Sequence, residues 1–168
     1  MTDPLLTTPR LLLRPHRLAD AAFMTRLNAN PEVVRYTGDV AFNDPSEAVV
    51  VVRSLQAQFT SRRMGRLIAI ERDTGEPVGW CGLRWHADEG AADLGYRFLQ
   101  DRWGRGYATE SSRACIGYGF EDLDLPMLFA RAVPENIGSV RVLEKLGFVR
   151  IGSTDCHGMT ADRYELYR

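Results

Sequence analysis

The stretch of this chain best equipped for chemistry is Trp103-Gly104-Arg105-Gly106, which follows a short apolar run and leads into residues 107–120. Two glycines between a strand and a helix put several backbone N–H groups at a helix N-terminus, where aligned peptide dipoles amount to roughly half a positive charge. Such a turn can cradle an anion. A β-carbon would hold a phosphate away from the amides, and Arg102 and Arg105 raise the local potential. The same residues also make an ordinary strand-to-helix connection, and the turn alone does not choose between the two readings. Two phosphate motifs fail against it. The chain has no Gly-x-x-x-x-Gly-Lys-Ser/Thr run, and the dinucleotide fingerprint has Thr109 in place of its third glycine. Its acidic ribose contact is missing too, since the next strand ends in Ala132-Val133-Pro134.

Other reactive side chains are sparser. Asn136 and Ser139 are three apart at a helix start, hence on one face of its first turn, as a cap with a polar neighbour or as a pair of ligand contacts. His16, His86 and His157 are scattered without carboxylate spacing, so no metal site is expected. Cys81, Cys115 and Cys156 form no C-x-x-C pair and read as reduced thiols of a cytoplasmic protein. Cys81 and Cys115 have apolar or small neighbours, which disfavours a thiol nucleophile. Trp80, Trp85 and Trp103 alternate with charges as RNA-stacking residues can, but half-buried strand positions account for the first two more simply.

The elements that must position these residues fit one domain over residues 1–168. A chain of this length can remove roughly 70% of its unfolded surface from water. Its 45% hydrophobic and 26% charged residues exclude disorder. Lys+Arg 21 against Asp+Glu 22 leaves a formal charge of -1, which disfavours nucleic-acid binding through bulk positive charge. No apolar run is long enough to cross a bilayer, and Met1-Thr2-Asp3-Pro4 lacks the character of a signal peptide, so a cytoplasmic location without membrane attachment is expected.

Arg10-Leu11-Leu12-Leu13-Arg14, between two prolines, predicts the strand that opens the sheet. Helical pieces follow over 19–29 and after the Asn30-Pro31-Glu32 cap. Asp44-Pro45-Ser46-Glu47 has capping-box spacing ahead of an apolar stripe at Val49, Val52, Leu55 and Phe59, which favours a helix although the valine run could form a strand. Residues 67–70, 78–85 and 92–98, separated by turns, predict an antiparallel three-strand meander. In 107–120, Ala108, Ser112, Cys115 and Gly119 line one helix face that can lie close on a sheet. A strand over 127–133, a helix over 136–146 stopped by Gly147, and a hairpin of 148–152 with 162–167 complete the chain.

Leu94-Gly95-Tyr96-Arg97-Phe98, then Trp103-Gly104-Arg105-Gly106-Tyr107-Ala108-Thr109-Glu110, then residues 134–148 beginning Pro134-Glu135-Asn136-Ile137-Gly138-Ser139, resemble the GNAT N-acetyltransferase superfamily. Within it they resemble the RimJ/RimL-type branch of ribosomal-protein N-terminal acetyltransferases, as do Thr8-Pro9-Arg10-Leu11-Leu12-Leu13-Arg14 and Asn30-Pro31-Glu32-Val33. The resemblance spans nearly the whole chain. It implies an α/β (α+β) fold, a mixed, mostly antiparallel sheet of about seven strands splayed in a V and flanked by four to five helices. Acetyl-CoA would be the cosubstrate, with no metal.

On this resemblance the diphosphate lies on amides of Gly104, Arg105, Gly106, Tyr107 and Ala108, with Trp103 and Thr109 flanking. Pantetheine pairs with the strand through Tyr96, Arg97 and Phe98, Asn136 hydrogen-bonds the pantetheine arm, and Ser139 lies near the sulfur. Trp103 stands where many relatives have Gln or Arg, and Leu143 where many have a tyrosine acid, which leaves Ser139 as the local replacement. A primary amine attacks the thioester directly, while backbone N–H groups near residues 96–98 steady the oxyanion. The strand position of a glutamate base is Arg131 here, so Asp93, His157 and Asp162 remain as base candidates, each equally readable as a hairpin or loop residue; Glu110 favours the helix N-terminus. An α-amine with a pKa of about 8 is roughly one-tenth neutral at pH 7, a lysine far less, so a weak base favours a protein N-terminal α-amine as acceptor. A polyamine or antibiotic N-acetyltransferase and a non-catalytic acyl-CoA-binding or ribosome-associated module are the alternatives. The acceptor would meet residues 30–59 and a loop over 154–160. Oligomeric state stays open, a homodimer included.

Overall fold

Alternating side chains in the central strands require the sheet to be covered on both faces, and this is what organises the fold. The computed structural model describes residues 5–39, 41 and 44–168. Eight strands, β1 (Leu6–Thr7), β2 (Leu11–Arg14), β3 (Arg66–Glu71), β4 (Pro77–His86), β5 (Ala91–Phe98), β6 (Met127–Ala132), β7 (Val149–Cys156) and β8 (Met159–Tyr167), form one sheet in the order 1-2-3-4-5-6-8-7. Every neighbouring pair is antiparallel except β5 with β6. The helices are α1 (Ala21–Asn28), α2 (Pro31–Val34), α3 (Pro45–Arg62), α4 (Tyr107–Gly117) and α5 (Ile137–Lys145). None among the described residues is long and apolar enough to cross a membrane.

On β3, Leu67 and Ala69 join the apolar layer beneath α4 and α5, while Ile68 and Ile70 join the layer beneath α1 to α3. Leu11, Leu13, Ile68, Val78 and Phe129 are wholly buried, each contributing about 1.5–3 kcal/mol by leaving water. The caps read from the sequence are present. Asn30 Oδ1 accepts the Glu32 N–H at 3.0 Å, Asp44 Oδ1 accepts the Ser46 N–H at 2.8 Å, and Glu47 returns the box by accepting the Asp44 N–H at 3.0 Å. The valine run is helical: Val52 is buried against α1 while Val50 points to solvent. The small face of α4 lies on the sheet through Ser112 and Cys115.

Three expectations are corrected. The strand expected to open the sheet is preceded by β1, a two-residue strand paired with it, which brings the sheet to eight strands among the described residues. α4 stops at Gly117 and a π-turn, Tyr118–Asp122, carries the chain on. The last hairpin is longer than the sequence predicts, because most of 154–160 belongs to β7 and β8, which close in a two-residue turn at His157 and Gly158, both at positive φ.

Two features position the site. β5 and β6 are paired only at Ala92 with Leu128 and Asp93 with Phe129, then part. From Leu94 onward β5 keeps its β4 partner and has lost the one on its other side, so its edge faces an open gap. α4 and α5 each begin near that gap, after the ends of β5 and β6 respectively.

Candidate functional site

The glycine turn has the backbone that an anion cradle requires. Gly104 and Gly106 sit at φ +70° and +82°, left-handed values that L side chains rarely adopt. Gly106 is the N-cap of α4, and the first helical bond runs from the Glu110 N–H to its carbonyl at 3.0 Å. The amides of Tyr107, Ala108 and Thr109 therefore precede the helical ladder. Tyr107 sends its hydroxyl away from the turn to donate to Glu71. Trp103 donates from Nε1 to the Phe98 carbonyl at 2.9 Å and so fastens the turn to the end of β5.

The turn is also held from the far end of the chain. Arg10 donates from its guanidinium to the Arg105 carbonyl at 2.9 Å and lies over the Tyr107 ring, 4.7 Å from its centroid. Glu110 accepts from the Thr8 hydroxyl at 2.6 Å, from the Arg10 N–H at 2.9 Å and from Arg10 Nε at 2.7 Å. Burial pushes the Glu110 carboxyl up, but these donors and the Arg10 charge outweigh it and hold it below its usual value. Glu110 thus ties the β1–β2 connection to the first turn of α4, beyond the electrostatic part read from the sequence.

Where β5 and β6 part, a cavity of about 780 Å³ opens toward α1 and α3. Asp93, Tyr96, Arg97, Asn136, Ser139 and His157 line it, together with Arg131 and Leu143. Asn136 caps α5, its Oδ1 accepting the Ser139 N–H at 3.2 Å, which leaves its amide NH2 as donor. Tyr96 Oη lies 2.8 Å from Ser139 Oγ. The Arg97 guanidinium is held within the cavity wall, donating to Asn28 and, at 2.6 Å, to Asp39 and lying over the Trp80 ring, so its side chain is committed and its backbone is what the strand edge offers.

The base candidates are separated. Asp93 lies within the cavity wall, held by Arg66 at 2.8 and 3.0 Å, with His86 Nε2 at 3.4 Å. Gly95 permits this, since a β-carbon there would stand 2.6 Å from the Arg66 guanidinium carbon. Burial raises the Asp93 pKa, but the Arg66 charge and the His86 contact outweigh it, and the carboxyl is held below its usual range. His157 reaches the cavity from the tip of the β7–β8 hairpin. Asp162 is not among the lining residues. It accepts from Arg150 at 2.7 Å and shares a sheet face with Tyr164, which is buried beneath α4 and α5.

Arg10 and Arg66 meet their carboxylates across 100 and 27 residues, too far for spacing to signal, and His86 meets Asp93 only because the β4–β5 hairpin folds one beside the other. Cys156, adjacent to His157, also lines the cavity; burial pushes its thiol pKa up, which makes it a poor nucleophile near neutral pH. Cys81 and Cys115 are buried, 3.7 Å apart, between β4 and α4.

Residues 10–149 match the family model described as an acetyltransferase (GNAT) domain. The chain is 33% identical over 148 residues to the uncharacterized N-acetyltransferase p20 of Bacillus licheniformis, covering 88% of this chain and 83% of that one. It is 28% identical over 137 residues to the spermidine N(1)-acetyltransferase of Escherichia coli, covering 81% and 71%. The crystal structure of an acetyltransferase from Agrobacterium tumefaciens superposes with a TM-score of 0.85 at 27% identity, covering 100% of this chain and 96% of that one.

Proposed function

The chain belongs to the GNAT acetyltransferase family and is an N-acetyltransferase, and we propose that it moves the acetyl group of acetyl-CoA directly onto a protein N-terminal α-amine, as one domain of residues 1–168. The observation that carries this reading is the parting of β5 from β6 after two paired residues, immediately beside a left-handed glycine turn at the start of α4. An open strand edge needs hydrogen-bond partners, and a pantetheine arm has the amide spacing to supply them. The diphosphate then rests on the amides of residues 104–109, and the thioester reaches Ser139 at the start of α5.

In this reading the chain's own groups orient and polarise. Backbone N–H groups of residues 96–98 meet the developing oxyanion, and Asn136 offers its NH2 to the pantetheine arm. Asp93 is neutralised by Arg66 and holds little basicity, and Asp162 stands outside the cavity lining. His157 remains as the base candidate with a clear path to the cavity. A weak base suits an α-amine, whose pKa of about 8 leaves roughly a tenth of it neutral at pH 7. Small polyamines are the second reading, favoured by the relation to the Escherichia coli spermidine enzyme.

The test incubates the protein with acetyl-CoA and a panel of peptide N-termini, spermidine and aminoglycosides, following free thiol. Thiol release that depends on a peptide α-amine supports the first reading, and release only with spermidine supports the second. Tight acetyl-CoA binding with no turnover on any amine would leave a non-catalytic acyl-CoA-binding module.

A further inference from the structure

Tyr96 stands where β5 has left β6, and it sends its hydroxyl across the gap to the first turn of α5. Its Oη lies 2.8 Å from Ser139 Oγ and 3.2 Å from the Ser139 carbonyl oxygen. Asn136 holds the Ser139 amide at 3.2 Å, so the serine backbone is fixed while its hydroxyl can rotate. Two hydroxyls in contact carry two protons and have two arrangements. In one, Ser139 donates to Tyr96 and Tyr96 donates to the Ser139 carbonyl, which leaves neither proton for a third partner. In the other, Tyr96 donates to Ser139 Oγ along the shorter contact, and the serine proton is free to point into the gap.

A negative charge forming in the gap selects the second arrangement. A hydroxyl that accepts a hydrogen bond is also polarised to donate a stronger one. We propose that Tyr96 is a positioning residue for departure of the CoA thiolate, its phenol donating to Ser139 Oγ and so turning the serine proton toward the sulfur. The inference rests on the placement of Ser139 beside the sulfur in the proposed function. As the step runs, the amine nitrogen bonds to the acetyl carbon, the carbon–sulfur bond breaks, and its electron pair stays on sulfur. The proton lost by the amine reaches the thiolate through solvent. Tyr96 and Ser139 stabilise the charge through their hydrogen bonds and finish with the protons they began with. Burial raises the Tyr96 pKa above its usual value, so the phenol remains a donor throughout the pH range in which α-amines lose their protons.

The thiol of bound CoA gives a direct readout, because its ionisation can be followed by the near-ultraviolet absorbance of the thiolate and needs no acceptor. The wild-type protein should hold the bound thiol about one unit below the value of free CoA titrated in the same buffer, and Tyr96→Phe and Ser139→Ala should each restore the free value. In turnover, Tyr96→Phe should lower kcat about tenfold while its calorimetric Kd for CoA stays within about twofold of wild type. The double variant should lose no more than Ser139→Ala alone, since the phenol acts through the serine. A bound thiol whose pKa stays low in Tyr96→Phe, or losses that add in the double variant, would overturn the inference while leaving the proposed function standing. Absence of CoA binding by the wild-type protein would instead count against the proposed function itself.

Discussion

Gly106→Val puts the largest demand on the proposed diphosphate cradle. Position 106 sits at φ +82°, where an L residue costs about 1–2 kcal/mol, and a β-branched side chain sits at the upper end of that range. A β-carbon there would also stand 3.4 Å from the Arg10 guanidinium, the group that holds the Arg105 carbonyl. The variant can escape both by letting the turn relax to negative φ, which rotates the amides of residues 107–109 away from their common focus. Binding must then restore the left-handed turn, and the apparent affinity falls by the fraction of molecules that hold it. About 2 kcal/mol corresponds to roughly 30-fold. Isothermal calorimetry with CoA measures this, and Gly90→Val is the control. Gly90 has φ +60° with open space around it, in the turn at the opposite end of β5, so its variant should lose stability and keep CoA affinity. CoA affinity unchanged in Gly106→Val would refute the reasoning, because the cradle would then not depend on the backbone that defines it.

Two further outcomes follow from individual side chains. Asn136→Ala removes both the α5 cap and the amide donor, so thermal stability should fall by about 1 kcal/mol and acetyl-CoA use should weaken, whereas Asn136→Asp keeps the cap and loses only the donor; equal CoA affinity in Asn136→Asp and wild type would show that Asn136 only caps. His16 is buried with both ring nitrogens unpartnered among the described residues, and burial pulls its pKa down to about 4. The unfolded chain, at about 6.5, takes up the proton first as pH falls, so stability from this site is complete above about pH 6.5 and lost toward pH 4, by about 3 kcal/mol in all. Urea denaturation of His16→Leu should show that part of the pH dependence gone and no loss at pH 5; a wild-type slope retained in the variant would show that other groups carry it.

The fold was most legible where a local rule had no rival. The Asp44 capping box decided the valine run, because a strand cannot use a side chain that closes onto an N–H two residues ahead. The β7–β8 hairpin is less legible for the opposite reason. Ser153, Thr154, Asp155 and Thr160 have loop-like composition, and their strand character comes from pairing across the sheet, with Thr154 opposite Ala161 and Asp155 opposite Thr160. β1 is two residues long and exists only through its partner β2. Strand identity at the margins of this sheet is therefore a tertiary property, in keeping with the context dependence of strand propensity.

The site divides along the same line. Positive-φ glycines before a helix and an asparagine at its cap are local, so the turn at 104–106 and the start of α5 could be read from spacing. What tunes them is not local. Arg10 reaches the turn, Tyr96 reaches Ser139 and Arg66 neutralises Asp93, each across a long separation in the chain. The Arg66 pairing changes the chemistry most. Asp93 read from sequence is a free carboxylate on a strand and a fair base. Placed under the Arg66 guanidinium, whose Nη2 reaches both of its oxygens while Nη1 reaches the Gly82 carbonyl, and with its pKa lowered, it becomes part of the wall that holds β3, β4 and β5 together. If the acceptor enters this cavity, as in the proposed function, it finds Asp93 committed to Arg66, which is why that reading turns to amines already partly neutral near pH 7.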